Sequence, residues 1–367
     1  MRLSNWRHFD FWLLGAVSIL IIFSIAMIDS AIAGNIELVE NNTLGRQILF
    51  AGAGFIVIAL VTILDYHVWI TIGRVLYVIV GGFLAFIAVG GETAFGAARW
   101  LDVGFALVQP SELAKITVVI IAADFFAHNQ DKIAKFLTVI RSAILPFGLV
   151  FFVIIQPDLS TSIVLLVIWG ALLFASGLRL QHILIFLGLG TVLPFISWPF
   201  LEDYQKQRVA QFIFPDETAR FGEEYNVLQS QITVGSGGLT GQGYRQGSQV
   251  QLRFLKVRHS DFIFSAIAEE FGFIGSVIII LILFFIIFRI LRAAQLSYDT
   301  FGSMICYGIA TLIAFQTVVN IGMNLTLLPV TGLPLPFISQ GGSSLISLML
   351  GIGLVESVIA RHKVLEF

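Results

Sequence analysis

Long apolar runs, broken by short polar punctuation, repeat along most of this chain. The first, Phe11–Ile32, carries a single ionisable residue, Asp29. A helix needs roughly 20 apolar residues to cross the hydrocarbon core of a bilayer. On that measure the pattern predicts ten spans: Phe11–Ile32, Gln47–Leu64, Val75–Val89, Leu113–Ala127, Phe136–Ile155, Leu159–Ser176, Ile183–Leu201, Phe262–Leu291, Phe301–Asn324 and Ser339–Ile359. Only Gln156, Pro157 and Asp158 separate the fifth from the sixth, which implies a tight turn. Backbone amides open to lipid would stay unpaired, so helices are the expected spanning form. The alternating strands of a barrel would look different. The reading is an all-α polytopic integral membrane protein of about ten transmembrane helices, one membrane domain over residues 1–367. One polar, glycine-rich stretch, 202–260, separates spans seven and eight. Connections this long are usually functional or disordered. Gln211–Phe214 and Tyr225–Val234 are partly apolar, which predicts a structured loop with short amphipathic helices at the interface.

The placement of Lys and Arg gives orientation. Arg2, Arg7, Arg74, Lys132, Lys135, Arg141, Arg179, Arg289, Arg292, Arg361 and Lys363 fall on the side of the N-terminus; the opposite short loops hold only Arg46 and Arg99. By the positive-inside rule both termini are cytoplasmic and the long loop is extracytoplasmic. Composition agrees: 57% hydrophobic, 12% charged, mean hydropathy +0.93, where a soluble domain carries about 25% charged residues. Ala31-Ile32-Ala33 faintly resembles a signal cleavage site, but the run before it is too long for a signal core, so an uncleaved first span is expected. Cys306 is the single cysteine, which excludes an intramolecular disulfide and a cysteine metal cluster.

Candidate chemistry gathers near predicted span ends. Asp261 opens the eighth span, in Arg258-His259-Ser260-Asp261-Phe262-Ile263-Phe264. Asp favours a helix N-cap, and a carboxylate at that interface could equally serve as a base toward an external polar substrate. In Gln109-Pro110-Ser111-Glu112-Leu113-Ala114-Lys115, Glu112 and Lys115 share a helix face. They form either a buried ion pair that positions the helix or a site where Lys115 meets substrate. Asp158, in Gln156-Pro157-Asp158-Leu159-Ser160-Thr161, either caps the sixth span or shares a site with Asp261. Glu269 and Glu270 lie two turns deeper than Asp261, so at least one should face protein or a polar cavity. Gly235–Gly238 and Gly241-Gln242-Gly243 match no phosphate-binding motif and read as flexible turns. Tyr204–Arg208 is a basic amphipathic patch, either an anchor near anionic headgroups or, through Arg208, a pyrophosphate contact. Pro329, Pro334 and Pro336 prevent a straight helix in Leu328–Ser343. Irregular backbone at that depth must be buried in protein or line a cavity, so a re-entrant segment is expected.

At these motifs the sequence resembles the SEDS family (shape, elongation, division and sporulation), most closely its RodA branch. The resemblance spans nearly the whole chain. Its markers are Gly96–Gly104, Gln109–Lys115, Gln156–Thr161, Tyr204–Val209, Gly235–Gly238, His259–Phe264 and the proline-rich segment ending at Gly342. Ser260 stands where Thr is usual, Ser160 where Gly is usual, and Gln340 where Tyr is usual. The resemblance implies the SEDS fold and a peptidoglycan glycosyltransferase that polymerises lipid II, an undecaprenyl-pyrophosphate-linked disaccharide peptide, into glycan strands. It would act at the outer face of the bacterial cytoplasmic membrane during cell elongation. Asp261 matches the essential family aspartate, the catalytic residue. Glu112, Lys115, Asp158, Arg208 and Ser343 serve substrate binding or structural support. The implied partner is a class B penicillin-binding protein transpeptidase within the elongation machinery; nucleic acid is not expected. No metal-ligand cluster is evident, and a divalent cation, Mg or Mn, is the one cofactor left open. The alternative is a lipid II flippase. A transporter should concentrate polar groups at mid-membrane, whereas these gather at the outer side.

Overall fold

The computed structural model describes residues 9–34, 36–90, 101–102, 107–133, 135–178, 181–182, 188, 196, 198–200, 203–214 and 222–361. Span-length helices form where the apolar runs predict them: α1 (Phe11–Ile32), α2 (Thr43–Ile63), α3 (Val68–Gly90), α4 (Pro110–His128), α5 (Phe136–Ile155) and α6 (Leu159–Ala175). Three shorter helices follow, α7 (Asp203–Ile213), α8 (Gly222–Ser236) and α9 (Ser248–Gln251). The long helices resume with α10 (Ile263–Leu296), α11 (Thr300–Asn324) and α12 (Gly342–Ala360). The predicted seventh span, Ile183–Leu201, lies almost wholly outside the described residues. Among the described residues the one strand ladder pairs Leu101–Asp102 with Leu107–Val108.

Seven of these helices, α1, α2, α3, α5, α10, α11 and α12, are long and apolar enough to cross a bilayer. α6 is shorter, at 17 residues. α4 tolerates Glu112, Lys115 and Asp124 because it runs through the protein interior, with Ile116, Val119, Ile120 and Ala123 all buried. It packs against α3, α5, α6, α11 and α12. Peripheral helices instead point large apolar side chains outward, such as Ile56 and Leu60 on α2 and Val78 and Phe86 on α3. Such a surface suits lipid as its solvent.

α10 is broken. Gly272 sits at φ 67° and ψ −164°, so the helical ladder stops and restarts there. The glycine-rich stretch of the long loop fills the break. Gln242 N–H and Gly243 N–H donate to Glu269 O (2.9 Å) and Glu270 O (3.0 Å), while Phe273 N–H and Ile274 N–H donate to Gly238 O (2.9 Å) and Leu239 O (3.1 Å). Side chains at Gly237 and Gly241 would collide with the α10 backbone. The glycines therefore form a backbone clamp rather than a flexible turn, and they repair the amides that the break exposes. Before the break α10 is buried from Ile263 to Glu270; after it, Phe273, Ile274, Ile278, Leu281 and Phe284 are exposed. Glu269 accepts the α9 amides of Gln249 (2.8 Å) and Val250 (3.0 Å), and Glu270 accepts from Ser30 Oγ. Both acids thus face protein. The described parts of the loop, 203–214 and 222–260, are structured, but α8 packs on α10 and α11 instead of lying free at an interface: Ser230 Oγ donates to Asn324 O at 2.6 Å.

A second network closes the opposite end of the bundle. Asp10 caps α1 and accepts Arg289 Nε at 2.8 Å, while its N–H donates to Glu356 at 3.1 Å. Tyr66 OH donates to Asp299 at 2.6 Å, and Arg361 donates to the carbonyls of Thr62 and Ile63.

Candidate active site

The site assembles around the turn before α10. Ser260 and Phe262 amides both return to Val257 O, folding residues 257–262 into a compact knot, and Phe262 is the N-cap of α10. The cap lies one residue beyond Asp261, so this position is not the helix cap that its residue type suggests. Asp261 is half-buried. Its Oδ2 lies 3.7 Å from where a Cβ on Gly332 would sit, and Gly332 has φ 71°, a conformation glycine adopts without strain. A Cβ at 332 would be in van der Waals contact with the carboxylate and take up the space beside it.

The proline-rich connection between α11 and α12 forms the facing wall. It is irregular, as its prolines require, and it is packed inside protein: Leu333, Leu335, Phe337 and Ile338 are all buried. Its polar backbone is satisfied by neighbours. Ser24 Oγ donates to Ile338 O (2.6 Å), and Ser339 Oγ donates to Ser260 O (2.7 Å) while accepting Leu335 N–H (2.8 Å). Gln340 N–H donates to His259 O at 3.0 Å. This segment and the Asp261 turn are therefore stitched together at three points, counting the asparagine described next.

Asn320 and Asn324, both fully buried one turn apart on α11, hold the turn from below. Both donate from Nδ2 to Asp261 O, at 3.1 and 3.0 Å, and Asn320 also donates to Leu333 O at 2.7 Å. Asn324 Oδ1 accepts Ser265 N–H at 3.1 Å and Ser265 Oγ at 2.6 Å. Sequence reasoning centred on ionisable groups passes these amides over. Their signal is two Asn at i, i+4 on one face of a predicted span, continuing the i, i+4 row from Gln316.

The other candidates connect through this wall. Ser160 Oγ, at the start of α6, donates to Thr331 O at 2.6 Å. Asp158 caps α6 by accepting Thr161 N–H (3.1 Å) and Oγ1 (2.8 Å), and Gln109 Nε2 reaches it at 3.5 Å. Gln109 N–H in turn donates to Ser343 Oγ at 3.2 Å. Asp158 is thus a cap and a neighbour of the site at once. Glu112 and Lys115 form a buried ion pair, 2.6 Å apart, with Lys115 1% exposed. Ser347 Oγ donates to Glu112 O at 2.8 Å, which ties the pair to α12. Arg208 is half-buried on α7.

Cations border the turn. Arg258 is buried and donates from Nε to Ala31 O (2.6 Å) and from Nη1 to Leu255 O (3.2 Å), satisfying carbonyls at the end of α1 and in the turn. Burial, with Arg258 beside it, pushes His259 down to about 4, so its imidazole is neutral at physiological pH. Among the described residues no three His, Cys, Asp or Glu side chains cluster as a metal cage would require. What the arrangement offers is a half-buried carboxylate on a rigid turn, beside a glycine gap, in a wall of satisfied polar backbone. That suits proton abstraction from a polar group presented at the bundle end.

Comparison with known proteins places this geometry. The family model described as "Cell cycle protein", covering FtsW, RodA and SpoVE, matches residues 7–364. The chain is 37% identical over 361 residues to peptidoglycan glycosyltransferase MrdB of Escherichia coli (strain K12), covering 98% of this chain and 95% of that one. It is 35% identical to stage V sporulation protein E of Bacillus subtilis (strain 168), covering 85% and 86%. Among solved structures it superposes with TM-score 0.73 and 28% identity on the Thermus thermophilus rod shape determining protein RodA, covering 98% and 99%. A chain from a study of polymerization and crosslinking by a peptidoglycan synthase complex superposes with TM-score 0.82 at 29% identity, covering 96% and 97%.

Proposed function

The chain belongs to the FtsW/RodA/SpoVE family, and on that premise we propose how its Asp261 turn serves a multi-pass peptidoglycan glycosyltransferase. The substrate is lipid II, met at the outer face of the bacterial cytoplasmic membrane. Asp261 takes the proton from the 4-hydroxyl of an acceptor GlcNAc. That oxygen attacks the anomeric carbon of the donor MurNAc, inverts it, and expels undecaprenyl pyrophosphate as the glycosidic bond forms. The single observation that carries this reading is the Asp261 turn itself: the carboxylate is half-buried beside Gly332, and the N-cap position of α10 is Phe262. Asp158, Ser343 and Gln109 extend one wall of the site, and the Glu112–Lys115 pair fixes the helix that carries Gln109. Arg208 contributes to the pyrophosphate side. Among the described residues the donors around Asp261 do not fit a protein-held Mg or Mn ion.

The arginine distribution supports the orientation. Arg289 and Arg361 both lie in the network at the end away from Asp261, in keeping with a cytoplasmic position for that end. The lipid-facing flank of α10 beyond Gly272 and of α11 at Val318 is exposed apolar surface. A class B penicillin-binding protein of the elongation machinery docks there and on the neighbouring loops.

One assay tests the proposal. Purified chain with its partner is given labelled lipid II, and the glycan is resolved on a gel. Wild type yields long strands; Asp261→Ala yields none while still binding its partner. Glycan from Asp261→Ala, or lipid II crossing a vesicle bilayer with no glycan made, overturns it.

A further inference from the structure

A helix that opens behind an aspartate ordinarily spends that carboxylate on its own first-turn amides. α10 does not need it. The acceptor for the third amide of α10, Ser265 N–H, is Asn324 Oδ1, contributed by a different helix at 3.1 Å. The same Asn324 turns its Nδ2 to Asp261 O at 3.0 Å and to Asn320 O at 2.9 Å. Asn320 divides its two protons between Asp261 O and Leu333 O. Every polar atom of the Asn324 side chain and both protons of the Asn320 amide are thereby used, and neither asparagine is exposed to solvent. Buried amides that are fully satisfied specify one arrangement, because any other leaves a polar atom unpaired.

We propose that Asn320 and Asn324 are positioning residues for Asp261. They act through its main chain: two amides grip the Asp261 carbonyl and so fix the direction of its side chain, while Asn324 Oδ1 serves the Ser265 amide of α10. The Leu333 bond sets the distance from that turn to the wall holding Gly332. Neither amide touches substrate. The inference rests on Asp261 as the base, and it names what keeps that base aimed.

A displacement of about 1 Å at a reacting group costs on the order of 100-fold in rate. Asn320→Leu and Asn324→Leu should therefore lower kcat for glycan formation about 10- to 100-fold, with KM for lipid II held within about two-fold. Gln316→Leu is the control: it lies one turn from Asn320 on α11, is buried, and neither its Nε2 nor its Oε1 has a partner. It keeps wild-type kcat. Folding is read by thermal shift and by co-purification with the partner, and Asn320→Ala and Asn324→Ala replace any leucine variant that fails either. Wild-type kcat in the folded Asn variants, or a loss confined to KM or to melting temperature, overturns the inference. Asp261→Asn separates the two claims. If it retains activity, the catalytic reading falls and this one with it; if it is inactive while the Asn variants turn over normally, only the positioning role falls.

Discussion

Replacing Gly272 with alanine tests the clamp on α10. The backbone there, φ 67° and ψ −164°, belongs to a region essentially reserved for glycine, so any other residue costs about 1–3 kcal/mol in conformation alone. A Cβ would also press on the Gly241 amide and lie 2.6 Å from Leu239 O. The loop must retreat, and the bonds from Phe273 and Ile274 to Gly238 and Leu239 lengthen with it. Losing two buried hydrogen bonds adds about 1 kcal/mol each. The total, about 3–5 kcal/mol, is large against the 5–15 kcal/mol of a typical fold. Thermal unfolding of the detergent-solubilised protein reads it, with limited proteolysis across residues 237–247 in parallel. Gly82→Ala is the comparison, since a Cβ there meets nothing within 4 Å in the middle of α3 and should be neutral or stabilising by up to about 1 kcal/mol. If Gly272→Ala melts with Gly82→Ala, and the loop stays protected, the clamp does not hold the break.

Lys115→Met strands Glu112 in the interior and should cost about 3–5 kcal/mol, read as a fall in melting temperature. Exchanging the two charges by Glu112→Lys with Lys115→Glu should recover most of it; no recovery would mean that Lys115 does more than pair. His259, pushed down to about 4 from its ordinary 6.5, is neutral when folded and takes a proton more readily when unfolded. Its contribution is complete above pH 6.5 and fades as pH falls toward 4, by on the order of 3 kcal/mol, and His259→Gln should flatten that slope in a pH series of unfolding curves. Ser339→Ala removes the donor to Ser260 O and the acceptor for Leu335 N–H, and should lower stability by about 1–3 kcal/mol in the same melts. Gly332→Ala should lower glycan formation more than stability would explain, because its methyl group occupies the space beside Asp261 Oδ2.

Much of the fold is legible in the chain because lipid reads hydropathy directly. The predicted edges of α1 and α5 coincide with the observed ones, and α6 differs by one residue. Edges drift where polar residues continue a helix under cover: α4 begins at Pro110, three residues before its apolar run, since Glu112 and Lys115 neutralise each other inside. The break at Gly272 leaves no such mark. Phe271-Gly272-Phe273 follows Glu269-Glu270 directly and runs on into a long apolar stretch with no second turn signal, and the loop that completes it lies some thirty residues earlier. Glycine clusters report conformational freedom, and only the fold reveals that this freedom is used for close backbone approach. The site divides in the same way. Asp261 and Asp158 announce themselves as charges near span ends, whereas Asn320 and Asn324 are defined by partners contributed from α8, α10 and the proline-rich wall.

The interruption at Gly272 also partitions the mechanics of the molecule. Below it, α10 meets the bilayer through Phe273, Ile274, Ile278 and Phe284, and so follows changes in membrane thickness or tension. Above it, nine residues of helix are bonded to the loop and move with it as one stiff body. The loop is bonded on both sides of this joint, to Glu269 and Glu270 above it and to Phe273 and Ile274 below it, so a push on the loop is passed to the helix that leads to the aspartate. The carboxylate proposed as the base is in this sense geared to whatever grips the loop.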